Sequence, residues 1–208
     1  MADDVQIRIV YRDPWLVIVD KPSGVLTQGA STGEPGLFET LQATERYVGL
    51  HHRLDRPASG LVLFTVDRRA NRGLSEALQA RRISRTYAVV LSGHAESGCW
   101  TQDVARKVAR SDVEVLAVDA GMSKARVSLH TGRKHQIRVQ AAMNRVPVIG
   151  DRRYGDRAGQ MWPRLALHAW SLALDHPITG EPLSVTSPIP EDLAELWGDT
   201  RVGESRGN

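Results

Sequence analysis

The chain has 208 residues, 41% hydrophobic and 25% charged, ordinary for a globular protein with room for one full core. Its single cysteine, Cys99, excludes an internal disulfide and a multi-cysteine zinc site and fits a reduced, intracellular setting. The acidic opening Met1-Ala2-Asp3-Asp4 is no signal peptide, and no run nears the ~20 apolar residues of a membrane span. Net charge is +3, and only four of the 27 cationic residues are lysines. Arginine makes planar, bidentate contacts to phosphate, so this balance leans toward nucleic acid. A GC-rich coding bias gives the same total, so local clusters carry more weight than the sum.

Residues 5–11 alternate Val5, Ile7, Ile9 and Tyr11 with polar partners, except Val10, the period of a half-buried strand. Asp13-Pro14 makes a turn, Leu16 to Val19 form a short central strand, and Asp20-Lys21-Pro22-Ser23-Gly24 ends it. Turn chemistry accounts for Pro22 and Gly24; Lys21 is left without a role. Residues 28–36 read as a flexible loop, and Phe38 and Leu41 lie on a short helical segment reaching about Arg46.

The stretch that organises the rest is 50–66. His52, Arg53, Asp55 and Arg56 form a polar cluster that runs through Pro57 and Gly60 into an apolar strand over 61–66. An acid between two arginines on a loop against a sheet is an arrangement for function more than for packing. His51 has no reading. Asp67 caps a helix whose Ala70, Leu74, Ala77 and Leu78 recur on one face. Arg81, Arg82 and Arg85 follow; the helix dipole explains arginines there as readily as RNA contact does.

Residues 86–91, with Tyr87, read as a strand closed by Ser92-Gly93. A polar, irregular stretch over 94–111 follows. Val113, Val115 and Ala117 then alternate with acids, and Ala125, Val127 and Leu129 with Lys124, Arg126, Ser128 and His130, as a hairpin turning near 119–121 with one basic face. Thr131 is the expected N-cap of a helix to about Asn144, with His135 and Arg138 on one face of a turn. No second ligand stands at metal spacing beside His135. Residues 151–163 form a loop, Leu165 to Ala169 a late strand, 176–183 a hairpin, and 191–197 a closing helix; the tail from Gly198 is polar and expected to be disordered.

Four stretches carry a resemblance. His52-Arg53-Leu54-Asp55 with Ser59-Gly60-Leu61 resembles the signature of the RluA-type RNA pseudouridine synthases. Trp15 to Gly24 resembles that family's first motif, Arg85 to Gly93 its tyrosine-bearing block, and Gly132 to Arg138, continued through Gly150-Asp151, its Gly-Arg-x-His-Gln-Ile-Arg motif. Together they cover about residues 8–195 in the family's order. Ala58 stands where many relatives have a hydroxyl residue.

The resemblance implies an α/β (α+β) fold with a mixed, mainly antiparallel central sheet and a cleft with Asp55 and Tyr87 on its floor. It implies one catalytic domain over 1–197 and no separate N-terminal RNA-binding domain. The activity it implies is isomerisation of specific uridines in structured RNA, ribosomal or transfer, by a cytoplasmic enzyme acting as a monomer. The reaction breaks N1–C1′, turns the base and joins C5 to C1′; it involves no redox step, so no cofactor and no metal are implied.

Asp55 is the expected catalytic carboxylate, attacking C1′ or removing a sugar proton. Shielding from water disfavours an ionised carboxylate and a guanidinium beside it favours one; by the resemblance Arg138 is that partner. Tyr87 would stack on the flipped base. Arg53, Arg56, Arg81, Arg82, Arg85, Arg133 and His135 are the expected RNA contacts, with basic loops at 81–85, 106–110 and 151–157, while His52 would order its loop by a hydrogen bond. Two rivals are an RNA-binding or RNA-folding protein that keeps the cleft without catalysis, and a glycosidic-bond hydrolase, which would need a second carboxylate or an activated water.

Overall fold

The computed structural model describes residues 7–30, 33–156 and 161–198. The expected strand position Val5, parts of the loops over 28–36 and 151–163, and the tail from residue 199 lie outside them. The chain divides into two compact units, one built from residues 1–87 with 168–187, the other from 88–167 with 188–208. Both combine helices with mostly antiparallel strands, the α+β arrangement expected.

In the first unit, β1 (Arg8–Arg12), β2 (Leu16–Lys21) and β4 (Ser59–Thr65) run side by side and antiparallel. Val10, which broke the alternation, lies at a bulge: Ile9 faces Val19 and Tyr11 faces Ile18. The short β3 (Gly49–Leu50), which no periodicity announced, pairs with the far end of β4. β9 (Leu167–Asp175) joins the near end of β4 in parallel, with Ser59 opposite His168, and β10 (Pro182–Thr186) closes the edge beside it. At Gly60 the backbone is left-handed (φ 108°), and a Cβ would come to 2.6 Å from the Ala169 nitrogen. Only glycine permits the two strands to approach so closely.

Helix α1 (Leu37–Gln42) is shorter than its pattern suggested, and α2 (Arg68–Gln79) matches its own. Asp67 accepts the Arg69 N–H at 2.8 Å as N-cap. Ala70, Leu74 and Ala77 of α2 pack on Leu16, Ile18, Leu61, Leu63 and Leu172, and burying each leucine or isoleucine stabilises by roughly 1.5–3 kcal/mol.

In the second unit, β5 (Ser84–Ser92), whose first residues belong to the first unit, β8 (Met122–Leu129), β7 (Ser111–Asp119) and the short β6 (Gly98–Trp100) lie in that order. The β7–β8 hairpin turns at Ala120 and Gly121, both left-handed (φ 48° and 73°), as a two-residue hairpin requires. Two members of its basic face meet acids: Arg126 pairs with Glu114 directly across the ladder, and His130 with Asp112 at 2.5 Å.

Helix α3 spans Gln136–Met143 and α4 spans Glu191–Trp197. The start of α3 corrects the sequence reading. Thr131 is not its N-cap; its hydroxyl accepts from the Arg110 N–H at 2.9 Å and donates to Gln136 at 2.7 Å. His135 occupies the cap in a left-handed conformation (φ 57°), so it does not share a helical face with Arg138. No described helix is long and apolar enough to cross a membrane.

Candidate active site

The loop over 51–58 joins β3 to β4, and it is fastened on both sides of Asp55. On the near side, Leu54 exchanges two hydrogen bonds with one buried hydroxyl: its N–H donates to Thr27 Oγ1 at 3.1 Å, and Thr27 Oγ1 donates back to its carbonyl at 3.0 Å. On the far side, Lys21 is fully buried and its Nζ donates to the carbonyls of Val25 (2.8 Å), Pro22 (3.0 Å) and Arg56 (3.1 Å). The Gly24 N–H reaches the same Arg56 carbonyl, and Ser23 Oγ donates to that of Pro57. Residues 21–27 thus form a strap that fixes the backbone before and after the half-buried Asp55. A buried ammonium is tolerable only when its donors are matched, and here they are spent on aiming a loop. That is the role the sequence left open for Lys21.

The two histidines are structural. His52 Nε2 accepts the Leu63 N–H of β4 at 3.0 Å, tying the loop to the strand. Burial, then the charge of Arg85, pushes this imidazole down to about 3, so it stays neutral and is no acid or base for the reaction. His51 bridges to Thr65 at the end of β4 (3.0 Å) and to Ser75 of α2 (3.4 Å). Thr65 donates its own proton to Asn71, which makes His51 Nε2 the donor and its Nδ1 the acceptor.

Tyr87 sits on β5, nearly buried. Burial pushes its phenol up, the Arg85 guanidinium pulls it down and the Asp55 carboxylate pushes it up again, leaving it raised. In the first unit Arg85 is thus within electrostatic reach of both His52 and Tyr87, and Asp55 within reach of Tyr87. Among the other expected RNA contacts, Arg53, Arg81 and Arg82 are exposed. Arg56 is employed inside the unit: its guanidinium binds Glu34 bidentately (3.1 and 2.8 Å) and its Nε donates to the Gly24 carbonyl.

Arg133, His135 and Arg138 lie in the second unit. Arg138 is buried and forms a bidentate pair with Asp151, Nε–Oδ2 and Nη2–Oδ1 both 2.8 Å. Asp151 also accepts the backbone N–H groups of Arg153 (2.9 Å) and Tyr154 (3.1 Å). Burial pushes its carboxyl up, but these donors outweigh it and hold the group below the usual aspartate value. The guanidinium lies 5.2 Å from the centre of the Tyr154 ring, whose hydroxyl meets His135 Nδ1 at 2.9 Å. Arg133 donates from Nε to the Val108 carbonyl. One turn apart on α3, the buried Gln136 and Gln140 hold the carbonyls of Arg110 and Trp100 and both bond the Ser111 hydroxyl. The His-Gln-Ile-Arg motif is therefore a fastening device as well as a source of charge.

Sequence reasoning missed Asp151 as the partner of Arg138, and Thr27 and Tyr154 altogether. Gly150-Asp151, an acid placed after a turn glycine and before two arginines, was the available signal for the first. A lone threonine offers none.

A family model described as RNA pseudouridylate synthase matches residues 15–143, which include both the strapped loop and the fastened helix α3. The ribosomal large subunit pseudouridine synthase D of Pseudomonas aeruginosa is 35% identical, the match covering 95% of this chain and 72% of that protein. The tRNA pseudouridine synthase C of Salmonella typhimurium is 31% identical, over 89% of this chain and 86% of that one. The solved structure of human RNA pseudouridylate synthase domain containing 1 superposes with a TM-score of 0.76 at 25% identity, covering 91% and 86% of the two chains. The chain belongs to the RluA-type RNA pseudouridine synthases, enzymes that isomerise uridine within RNA.

Proposed function

We propose that this chain converts specific uridines of ribosomal or transfer RNA to pseudouridine in the cytoplasm, with Asp55 as the catalytic carboxylate. The observation that carries the assignment is the strap: Thr27 holds the residue before Asp55, and Lys21, Gly24 and Ser23 hold the two after it. A loop anchored on both sides keeps a carboxylate at a fixed place and angle, which positional catalysis needs. Tyr87 offers a flat ring to the extruded base, and its raised phenol stays protonated at neutral pH. Arg138 is proposed, from the family resemblance alone, as a further catalytic residue. Arg53, Arg81 and Arg82 are proposed as backbone contacts, and binding through them should weaken as salt rises.

The test is to incubate wild type and Asp55→Asn protein with unmodified total RNA and map pseudouridine by carbodiimide adducts and reverse-transcription stops. A stop made by wild type alone assigns both activity and Asp55. A stop that survives Asp55→Asn removes Asp55 from the mechanism. RNA binding without any stop favours a binding or folding protein, and released uracil a hydrolase.

A further inference from the structure

Arg85 stands apart from the other arginines of the cluster at 81–85. Arg81 and Arg82 point into solvent, whereas Arg85 is half-buried on β5. It lies two residues before Tyr87, and the period of a strand puts both side chains on one face. Its Nε is buried and has no hydrogen-bond partner, and it takes part in no ion pair among the described residues. Its charge is nonetheless felt by His52, on the loop of Asp55, and by Tyr87, which also feels Asp55. A cation with an enclosed, unmatched donor beside a carboxylate loop is costly to the free protein. Such a group makes sense when a ligand brings the missing acceptor.

The reaction creates one. Whether Asp55 attacks C1′ or removes a sugar proton, the N1–C1′ bond breaks with both electrons going to N1. The base departs as a uracil anion, its charge shared by O2 and O4. After the base turns, C5 provides the pair for the new C5–C1′ bond, the C5 proton leaves, and N1 takes up a proton. A guanidinium donating to a uracil carbonyl oxygen holds the anion more strongly than the neutral base, and so speeds bond cleavage.

We propose that Arg85 is a catalytic residue of this enzyme, its guanidinium binding a carbonyl oxygen of the departing uracil. The proposal rests on the uridine isomerisation read above. A phosphate contact, the alternative use of an arginine, suits the exposed Arg81 and Arg82 better than a donor withdrawn beside a buried ring.

The test uses the full chain and transcripts carrying the mapped target as uridine or as 5-fluorouridine, with N1–C1′ cleavage followed in single turnover by loss of the starting nucleoside. Fluorine itself stabilises the departing anion, so it replaces part of the help Arg85 gives. Arg85→Gln should slow cleavage of the uridine substrate about 100-fold, with RNA affinity unchanged. On 5-fluorouridine the loss should shrink to about 10-fold or less, and Arg85→Lys should recover part of the rate. An equal loss on both substrates, weaker RNA binding with full rate at saturation, or no loss at all would each overturn the assignment. Should Arg85→Gln not fold by thermal melting, Arg85→Lys carries the same comparison, and an equal loss on the two substrates is again decisive. Wild type that cleaves neither transcript would instead show that the isomerase reading has failed.

Discussion

The Nζ of Lys21 donates to the carbonyl of Arg56 at 3.1 Å, across 35 residues of chain. This bond, together with those to Pro22 and Val25, makes the end of β2 the anchor of the loop that carries Asp55. Lys21→Met removes the donors and leaves buried carbonyls unmatched, at about 1–3 kcal/mol for each group stranded. A loss of about 2–4 kcal/mol in urea unfolding is expected. Lys21→Arg should not restore it, because a planar fork does not fit where an ammonium meets three converging carbonyls.

Thr27→Val is the gentler probe of the same strap. It keeps the shape of the side chain and deletes the hydroxyl that serves both the N–H and the carbonyl of Leu54. Stability should fall by about 1–3 kcal/mol. Turnover should fall with RNA affinity unchanged, since the exposed arginines remain while the carboxylate is aimed less well. Equal affinity and equal turnover would show that the loop holds its place without Thr27.

The folded His52 is pushed from 6.5 to about 3, which sets a pH dependence of known sign. Between those values the unfolded chain takes up a proton that the folded imidazole refuses. The contribution is fully present above pH 6.5 and is lost as pH falls toward 3, by up to about 1.4 kcal/mol per pH unit. Denaturant unfolding at about pH 5 and about pH 7.5 should show a steeper slope for wild type than for His52→Gln. Parallel slopes would mean that His52 titrates alike folded and unfolded.

Asp151→Asn tests the other fastening. The Arg138–Asp151 pair is buried, and Asp151→Asn takes a bidentate charged partner from Arg138, at about 3–5 kcal/mol. The carboxyl of Asp151 is held below its ordinary 3.8, so its contribution is complete above that value and lost as pH falls through the folded one. Replacing both partners with apolar residues should cost less stability than Asp151→Asn alone, measured as a double-mutant cycle.

What was legible in the sequence follows from how far each signal reaches along the chain. Helix α2 was visible because Ala70, Leu74 and Ala77 repeat at helical spacing behind the Asp67 cap, and α4 because Pro190 precedes a short apolar pattern. The start of α3 was not, because Thr131, a good cap by type, is drawn away by the Arg110 N–H 21 residues earlier. The basic face of the β7–β8 hairpin was read from one strand; the pairing of Arg126 with Glu114 and of His130 with Asp112 is a cross-strand fact that appears only when the register is fixed. The motif around Asp55 could be read, but Lys21, Thr27 and Ser23 act on it through main-chain groups, which leave no pattern in side-chain identity.

The parallel contact of β4 with β9 bears on how the chain is made. Ser59 and His168 meet at 2.9 Å although they stand 109 positions apart in the chain, and His168 is buried against the strand that leaves the Asp55 loop. The first unit is thus interrupted by the larger segment of the second and ends with a segment synthesised late. At about 5–20 residues per second, β9 follows β4 out of the ribosome after roughly 5–20 s. For that interval one flank of β4 lacks this partner, an exposed edge of the kind that invites wrong pairing. The anchors of the Asp55 loop, Lys21, Ser23 and Thr27, are in place early, so what waits for late synthesis is the cover on the strand that leaves the loop.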